Sequence, residues 1–179
     1  STRSGEFFTL KNLIEDIGSD AARFYYLSKQ ADQHLDFDLD LAKSDSKENI
    51  FYYIQYAHAR IVSLEEKAWD KFSEIKRNIK NISSGSYKEC DNLIHEISKF
   101  PDIVNKSANT LQPHVIIYYL KDLSQLFHSF YNDNHVLSES EENMQSILEC
   151  LIAVKQVISN GLNLFCLLYT SDAADEVDR

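Results

Sequence analysis

The stretch Ile50-Phe51-Tyr52-Tyr53-Ile54-Gln55-Tyr56-Ala57-His58-Ala59-Arg60 decides the fold. Apolar residues recur at Ile50, Tyr53, Ile54, Ala57, Ile61 and Leu64. That is the spacing of one helix face, not the alternation of a strand. Neither Gly nor Pro occurs between Asn49 and Lys80. Phe72, Ile75 and Ile79 resume the stripe after a polar stretch. The pattern predicts one helix over these residues, about 45 Å long at 1.5 Å per residue.

Working towards the N-terminus, Leu10, Leu13, Ile14 and Ile17 mark another helix face. Thr9 is its expected N-cap and Gly18 its C-terminal stop. Ser19 is expected to cap a second helix carrying Asp20, Ala21, Ala22, Phe24, Tyr25 and Leu27. Asp32 to Lys43 reads as a less regular connector. Working towards the C-terminus, Asn81 to Ser86 reads as a loop. A helix with Leu93, Ile94 and Ile97 ends near Phe100, and Pro101 suits the first turn of the next. Gln112-Pro113 opens a helix through Ile117, Leu120, Leu123, Leu126, Phe127, Phe130 and Tyr131. Ser138 is expected to cap the last one, where Glu139, Glu141 and Glu142 suit the positive end of the helix dipole. Ile147, Leu148, Leu151, Val154, Val157 and Ile158 form its core side. The fold class is all-α, a bundle of four to five helices with a helical N-terminal extension.

Composition agrees. Hydrophobic residues make up 44% of the 179, enough for a core, while four Gly and two Pro leave little material for tight turns. No apolar run reaches the 18 or so residues that span a bilayer, and no secretion signal is visible. Cys90, Cys150 and Cys166 lack a Cys-x-x-Cys pair for zinc and read as reduced, buried thiols of a cytosolic protein. The formal charge of −10 argues against a sequence-blind grip on phosphates. It leaves open an RNA binder that reads unstacked bases with aromatic side chains, and twenty residues are Tyr or Phe.

Several segments carry a resemblance. Ser1-Thr2-Arg3-Ser4-Gly5 resembles the end of the lysine-methionine-serine-lysine-serine loop of class I tRNA synthetases, in the form used by the arginine enzymes. Gly18-Ser19-Asp20-Ala21-Ala22-Arg23-Phe24, followed by Leu35-Asp36-Phe37-Asp38, resembles the segment after that loop. Tyr53 to Arg60 resembles the first helix of an anticodon-binding bundle, and Leu126-Phe127-His128-Ser129-Phe130-Tyr131 with Asn160-Gly161-Leu162 its later helices. In order and spacing these resemble the C-terminal part of an arginyl-tRNA synthetase with a DALR-type anticodon-binding domain.

The resemblance implies four regions. Residues 1–9 are a remnant of the signature loop, 10–48 linker and stem-contact helices, 49–165 the anticodon-binding helical bundle, and 166–179 an appended tail. The string Cys166-Leu167-Leu168-Tyr169-Thr170-Ser171-Asp172-Ala173-Ala174-Asp175-Glu176 resembles the translation of a sequencing-library adapter, so that tail is read as an artefact and is expected to be dispensable; the alternative reading is a divergent acidic tail. Two further departures from the family pattern are His135 and Ile147, each at a position where an arginine is usual.

The implied function is recognition of the anticodon of tRNA(Arg) by Tyr53, Tyr56 and Arg60, within a cytoplasmic, monomeric enzyme that uses ATP, Mg and L-arginine. No cofactor or metal is expected on this chain, and Ser1, Thr2 and Arg3 could only complement a catalytic site housed elsewhere. Spacings of three and seven put Tyr53, Tyr56 and Arg60 on one helix face. Phenol rings and a guanidinium plane can both stack on a splayed base. From spacing alone the two tyrosines would read as part of the bundle seam; the resemblance reverses that preference. The rival readings are an acidic helical adaptor for a protein partner and the anticodon domain of another class I synthetase, such as the cysteine enzyme.

Other constellations fall away. Asp36, Asp38 and Asp40 begin like a calcium loop, but Leu41 and Lys47 stand where its Gly and Glu belong. The six histidines show no His-Glu-x-x-His spacing, and His58 and His128 read as packing or helix-surface residues. Lys76, Arg77 and Lys80 read as a solvated, dipole-complementing helix end.

Overall fold

The computed structural model describes residues 9–33, 38–71, 88–134 and 141–169. All regular structure among them is helical. Three short helices come first: α1 (Leu10–Ile17), α2 (Ser19–Leu27) and α3 (Leu39–Lys43). The bundle follows: α4 (Ile50–Lys71), α5 (Asp91–Ser98), α6 (Phe100–Thr110), α7 (His114–Asp133) and α8 (Glu141–Asn163). A single 3-10 turn, Lys88–Cys90, leads into α5.

Local chemistry sets the ends. Thr9 accepts a hydrogen bond from the Asn12 N–H and caps α1. Gly18 stops α1 at φ 83°, a conformation favourable only to glycine, and its N–H donates to the Ile14 carbonyl. Gly18 also occupies the N-cap of α2, so Ser19 lies inside that helix and does not cap it. Residues 39–43 are not an irregular connector: Asp38 accepts from the Leu41 N–H at 3.0 Å and nucleates α3. Asn49 starts α4 by accepting from the Tyr52 N–H, while its amide donates to the Ala42 and Ser44 carbonyls. Pro101 sits in the first turn of α6 as the sequence predicts. α4 is described as far as Lys71; the rest of the expected long helix, the Lys76, Arg77 and Lys80 group, and Ser138 lie outside the described residues.

α4, α5, α7 and α8 pack around one core, and α6 closes against α7. Ile54, Ala57, Ile61 and Leu64 meet Ile117, Leu120, Leu123 and Phe127 of α7 and Leu148, Leu151 and Val154 of α8 in that core. α7 and α8 approach closely at Gly161: a Cβ there would lie 2.7 Å from a Leu120 methyl. Leu120 is wholly buried. α2 docks on the bundle through Phe24, which is fully buried against Phe51 at 4.9 Å between ring centroids.

Two expectations need correction. Cys166 is exposed, whereas Cys90 and Cys150 are buried. Those two, 60 positions apart in sequence, are close enough to hydrogen-bond, and that bond with burial pushes the Cys150 thiol up. The packed chain also runs four residues past the boundary expected at Phe165. Leu167 is 1% exposed, the Leu168 N–H donates to Asp20, and Gln55 donates to the Leu168 carbonyl. An apolar side chain with a pocket and backbone groups with partners hold this segment down, though nothing in its own periodicity announces it. Residues 170–179 lie outside the described residues.

Candidate nucleic-acid interface

α4 and α7 lie side by side and leave an open cleft of about 260 Å3 between their exposed shoulders. α4 contributes Tyr52, Tyr53, Tyr56 and Arg60; α7 contributes His128 and Asn132. Asp45 and Lys47, from the loop ahead of α4, close one rim. The loop is held there by the Asn49 hydrogen bonds that start α4.

The three residues singled out from the sequence are therefore brought together. None is a seam residue in the full sense, since Tyr53, Tyr56 and Arg60 all keep part of their surface open. Ser1, Thr2 and Arg3 lie outside the described residues.

The aromatic groups form a series. Tyr52 and Tyr56 are parallel within 6° at 6.0 Å. Tyr56 and His128 follow at 5.4 Å and 19°, and Tyr53 lies 4.5 Å from the His128 ring. The Arg60 guanidinium sits 3.8 Å from the Tyr131 ring centroid and 5.5 Å from that of Tyr56. This cation–π contact holds a long side chain in place before any ligand arrives, which lowers the ordering cost of binding.

Protonation is biased throughout. Burial raises the Tyr53 phenol, although Arg60 pulls the other way, so it keeps its proton at neutral pH. His128 is 6% exposed. Burial pushes it down to about 4, assisted by the Arg60 and Lys47 cations and opposed by a hydrogen bond to the Tyr53 backbone. It is a neutral imidazole at physiological pH.

Stacked rings beside an ordered guanidinium suit a planar, electron-rich ligand, and Lys47 with Arg60 suits a neighbouring phosphate. Asp45 and Asn132 offer polar edges. Among the described residues no group of three or more His, Cys, Asp or Glu is placed to hold a metal, and no helix is long and apolar enough to cross a membrane.

Sequence reasoning missed His128, Tyr131, Asn132, Asp45 and Lys47. His128 and Asn132 are four apart on α7 and so share a face, which was legible. That this face meets Tyr53 and Tyr56 was not.

Known proteins resemble this chain in sequence and in fold. Residues 54–168 match the family model of the DALR anticodon binding domain. The chain is 44% identical over 169 residues to the arginine–tRNA ligase of Acinetobacter baumannii (strain AYE) and 42% identical over 170 residues to that of Coxiella burnetii (strain CbuK_Q154). Each alignment covers 92% of this chain and 28% of the relative. A crystal structure from Campylobacter jejuni, described as an arginyl-tRNA synthetase, superposes with a TM-score of 0.80 at 30% identity, covering 96% of this chain and 37% of that one. Thermus thermophilus arginyl-tRNA synthetase shares the fold, with a TM-score of 0.73 at 21% identity over 95% of this chain and 29% of that one. The chain thus spans little more than a quarter of the length of the curated relatives it matches.

Proposed function

The chain belongs to the DALR anticodon binding domain family, and from that membership we propose that the cleft between α4 and α7 receives bases of a tRNA anticodon loop. One observation carries the reading: Tyr53, Tyr56 and Arg60 converge, half-open, on a single cleft whose rings and cation are already ordered. Tyr53 and Tyr56 supply faces for splayed bases. Arg60 stacks or reaches a phosphate, and Lys47 adds a second cation. The acidic net charge fits this mode, because recognition through unstacked bases needs no broad basic surface.

The relatives' names direct the reading to tRNA(Arg). The whole protein would join L-arginine to that tRNA using ATP and Mg, in the cytoplasm, with this chain supplying recognition. In that division of labour Ser1, Thr2 and Arg3 belong to the catalytic portion's edge.

Filter binding to a panel of tRNA transcripts tests the proposal. The chain should prefer arginine anticodons. Tyr56→Ala and Arg60→Ala should each weaken that binding by about five- to hundred-fold, the range of one lost base–aromatic stack. Equal retention of every transcript, or variants that fold and bind as the parent does, would overturn the reading and favour the acidic adaptor.

A further inference from the structure

Resting on the reading of the cleft as an anticodon-loop site, we propose that Asn49 is its positioning residue. The side-chain amide of Asn49 holds the loop at 44–47 against the start of α4, so that Lys47 meets an RNA phosphate beside a base stacked on the α4 tyrosines.

The case begins with the hydrogen bonds of one buried residue. Asn49 is 5% exposed. A side-chain amide has two N–H donors and two acceptor positions on its oxygen, and Asn49 uses all four. Nδ2 donates to the Ser44 carbonyl at 2.8 Å and to the Ala42 carbonyl at 3.2 Å. Oδ1 accepts from the Tyr25 hydroxyl at 2.9 Å and from the Tyr52 N–H at 3.2 Å. The backbone adds to this: the Asn49 N–H donates to the Ser46 carbonyl at 3.0 Å, and the Asn49 carbonyl accepts from the Tyr53 N–H at 2.9 Å.

These bonds join separate pieces of the molecule. Tyr25 belongs to α2. Tyr52 and Tyr53 open the side of α4 that lines the cleft. Ser44 and Ser46 flank Asp45, and Ser46 precedes Lys47; Asp45 and Lys47 form the rim. Ser44 Oγ donates to the Leu41 carbonyl and lies 2.9 Å from Ser46 Oγ. The backbone on both sides of Asp45 is therefore pinned, and the pin is the residue that caps α4. A cap alone needs only an acceptor, which Ser or Asp supplies. The two donated bonds do nothing for α4 and serve the rim.

The Lys47 side chain is exposed. On a free loop it would give up backbone as well as side-chain freedom on meeting a phosphate. On a pinned loop only the side-chain cost remains. A buried polar network with every group satisfied specifies one geometry, and here that geometry includes the distance between a cation and a row of rings.

Variants of the full 179-residue chain test this. Asn49→Ser keeps a cap for α4 and loses the reach to the loop carbonyls. Binding is measured by filter retention of an arginine-anticodon tRNA transcript across a range of salt concentrations. Lys47→Ala should weaken binding about two- to five-fold. It should also lower the slope of log affinity against log salt by about 0.7, one single-strand phosphate contact. Asn49→Ser should show the same loss of slope, and adding Lys47→Ala to it should lower the slope no further. Tyr25→Phe leaves both donated bonds in place, so Lys47→Ala added to it should keep its whole effect.

An Asn49 that only caps and packs would lower the melting temperature, yet Lys47→Ala would keep its whole effect in the Asn49→Ser chain; this result overturns the proposal. So does a Lys47→Ala chain that binds as the parent does. If Asn49→Ser does not fold, Asn49→Asp, which keeps both accepted bonds and loses both donated ones, carries the same comparison. If Tyr56→Ala loses binding while Lys47→Ala keeps its effect in the Asn49→Ser chain, the cleft reading stands and the positioning role falls. If Tyr56→Ala and Lys47→Ala both bind as the parent does, the cleft reading itself is wrong.

Discussion

The two sides of α4 differ in how far their large polar side chains are covered. Towards α8, Glu65 is 4% exposed, and Lys155 brings its ammonium 2.7 Å from both carboxylate oxygens. That charge is desolvated and paired with one cation, which hydrogen-bonds Oε2 and leaves Oε1 without a hydrogen bond. Towards α7, Tyr53, Tyr56 and Arg60 stay half-open and His128 keeps a buried nitrogen unmatched. Each side leaves a buried ring nitrogen without a hydrogen-bond partner, His58 Nδ1 and His128 Nε2, so what separates the sides is the three large side chains kept half-open towards α7. Half-open aromatic surface beside an ordered cation is what the proposed base contacts would cover.

The sharpest way to break this contrast uses neighbouring residues. Ile61 is fully buried in the core and Arg60 lies at the cleft. Ile61→Ala should cost about 4 kcal/mol of stability, within the usual range for large-to-small core changes. Arg60→Ala should cost less than about 1 kcal/mol, since it removes only partly exposed cation–π contacts, a close one to Tyr131 and a longer one to Tyr56. Urea denaturation of both variants measures this. Equal losses would make Arg60 a structural residue and erase the distinction.

Next comes the ion pair. Lys155→Met strands the Glu65 carboxylate in the core. Breaking a buried pair in this way typically costs about 3–5 kcal/mol; because the Lys155 side chain is 24% exposed, a smaller loss, about 2–3 kcal/mol, is expected. Replacing both members, with Glu65→Leu and Lys155→Met, should recover most of that loss. Failure to recover would mean that the pair supplies more than mutual neutralisation.

Two of the buried histidines, His58 and His128, give the smallest effect and sharpen the comparison. His58 and His128 are each 6% exposed and each pushed down to about 4. Burial is the main cause for both, with Lys155 adding to it at His58 and Arg60 and Lys47 at His128. A depressed histidine is neutral in the fold, while the unfolded chain takes up a proton near 6.5. Stability is therefore full above about pH 6.5 and falls as pH drops towards 4. Each histidine should remove about 2 kcal/mol between pH 8 and pH 5. His58→Gln or His128→Gln should flatten that pH dependence by its own share.

Much of the fold was legible because helix signals are local. The apolar spacing of α4, the glycine at position 18 and the proline at 101 each act within a few residues of themselves, and the all-α bundle followed. The Asp38 cap and α3 were missed because five residues are too few to show periodicity. Leu167 was missed because its burial depends on a pocket built from distant segments.

The sequence by itself determined that α4 is a helix and that Tyr53, Tyr56 and Arg60 share one side of it, since 3.6 residues per turn suffices for both statements. Only the tertiary structure decided that this side faces α7, that Tyr131 holds Arg60, and that His128 stands between the two tyrosines. These residues are about 70 positions apart in the chain. What joins them is the packing of two helices around a shared core, and no local pattern in either helix encodes which neighbour it will meet.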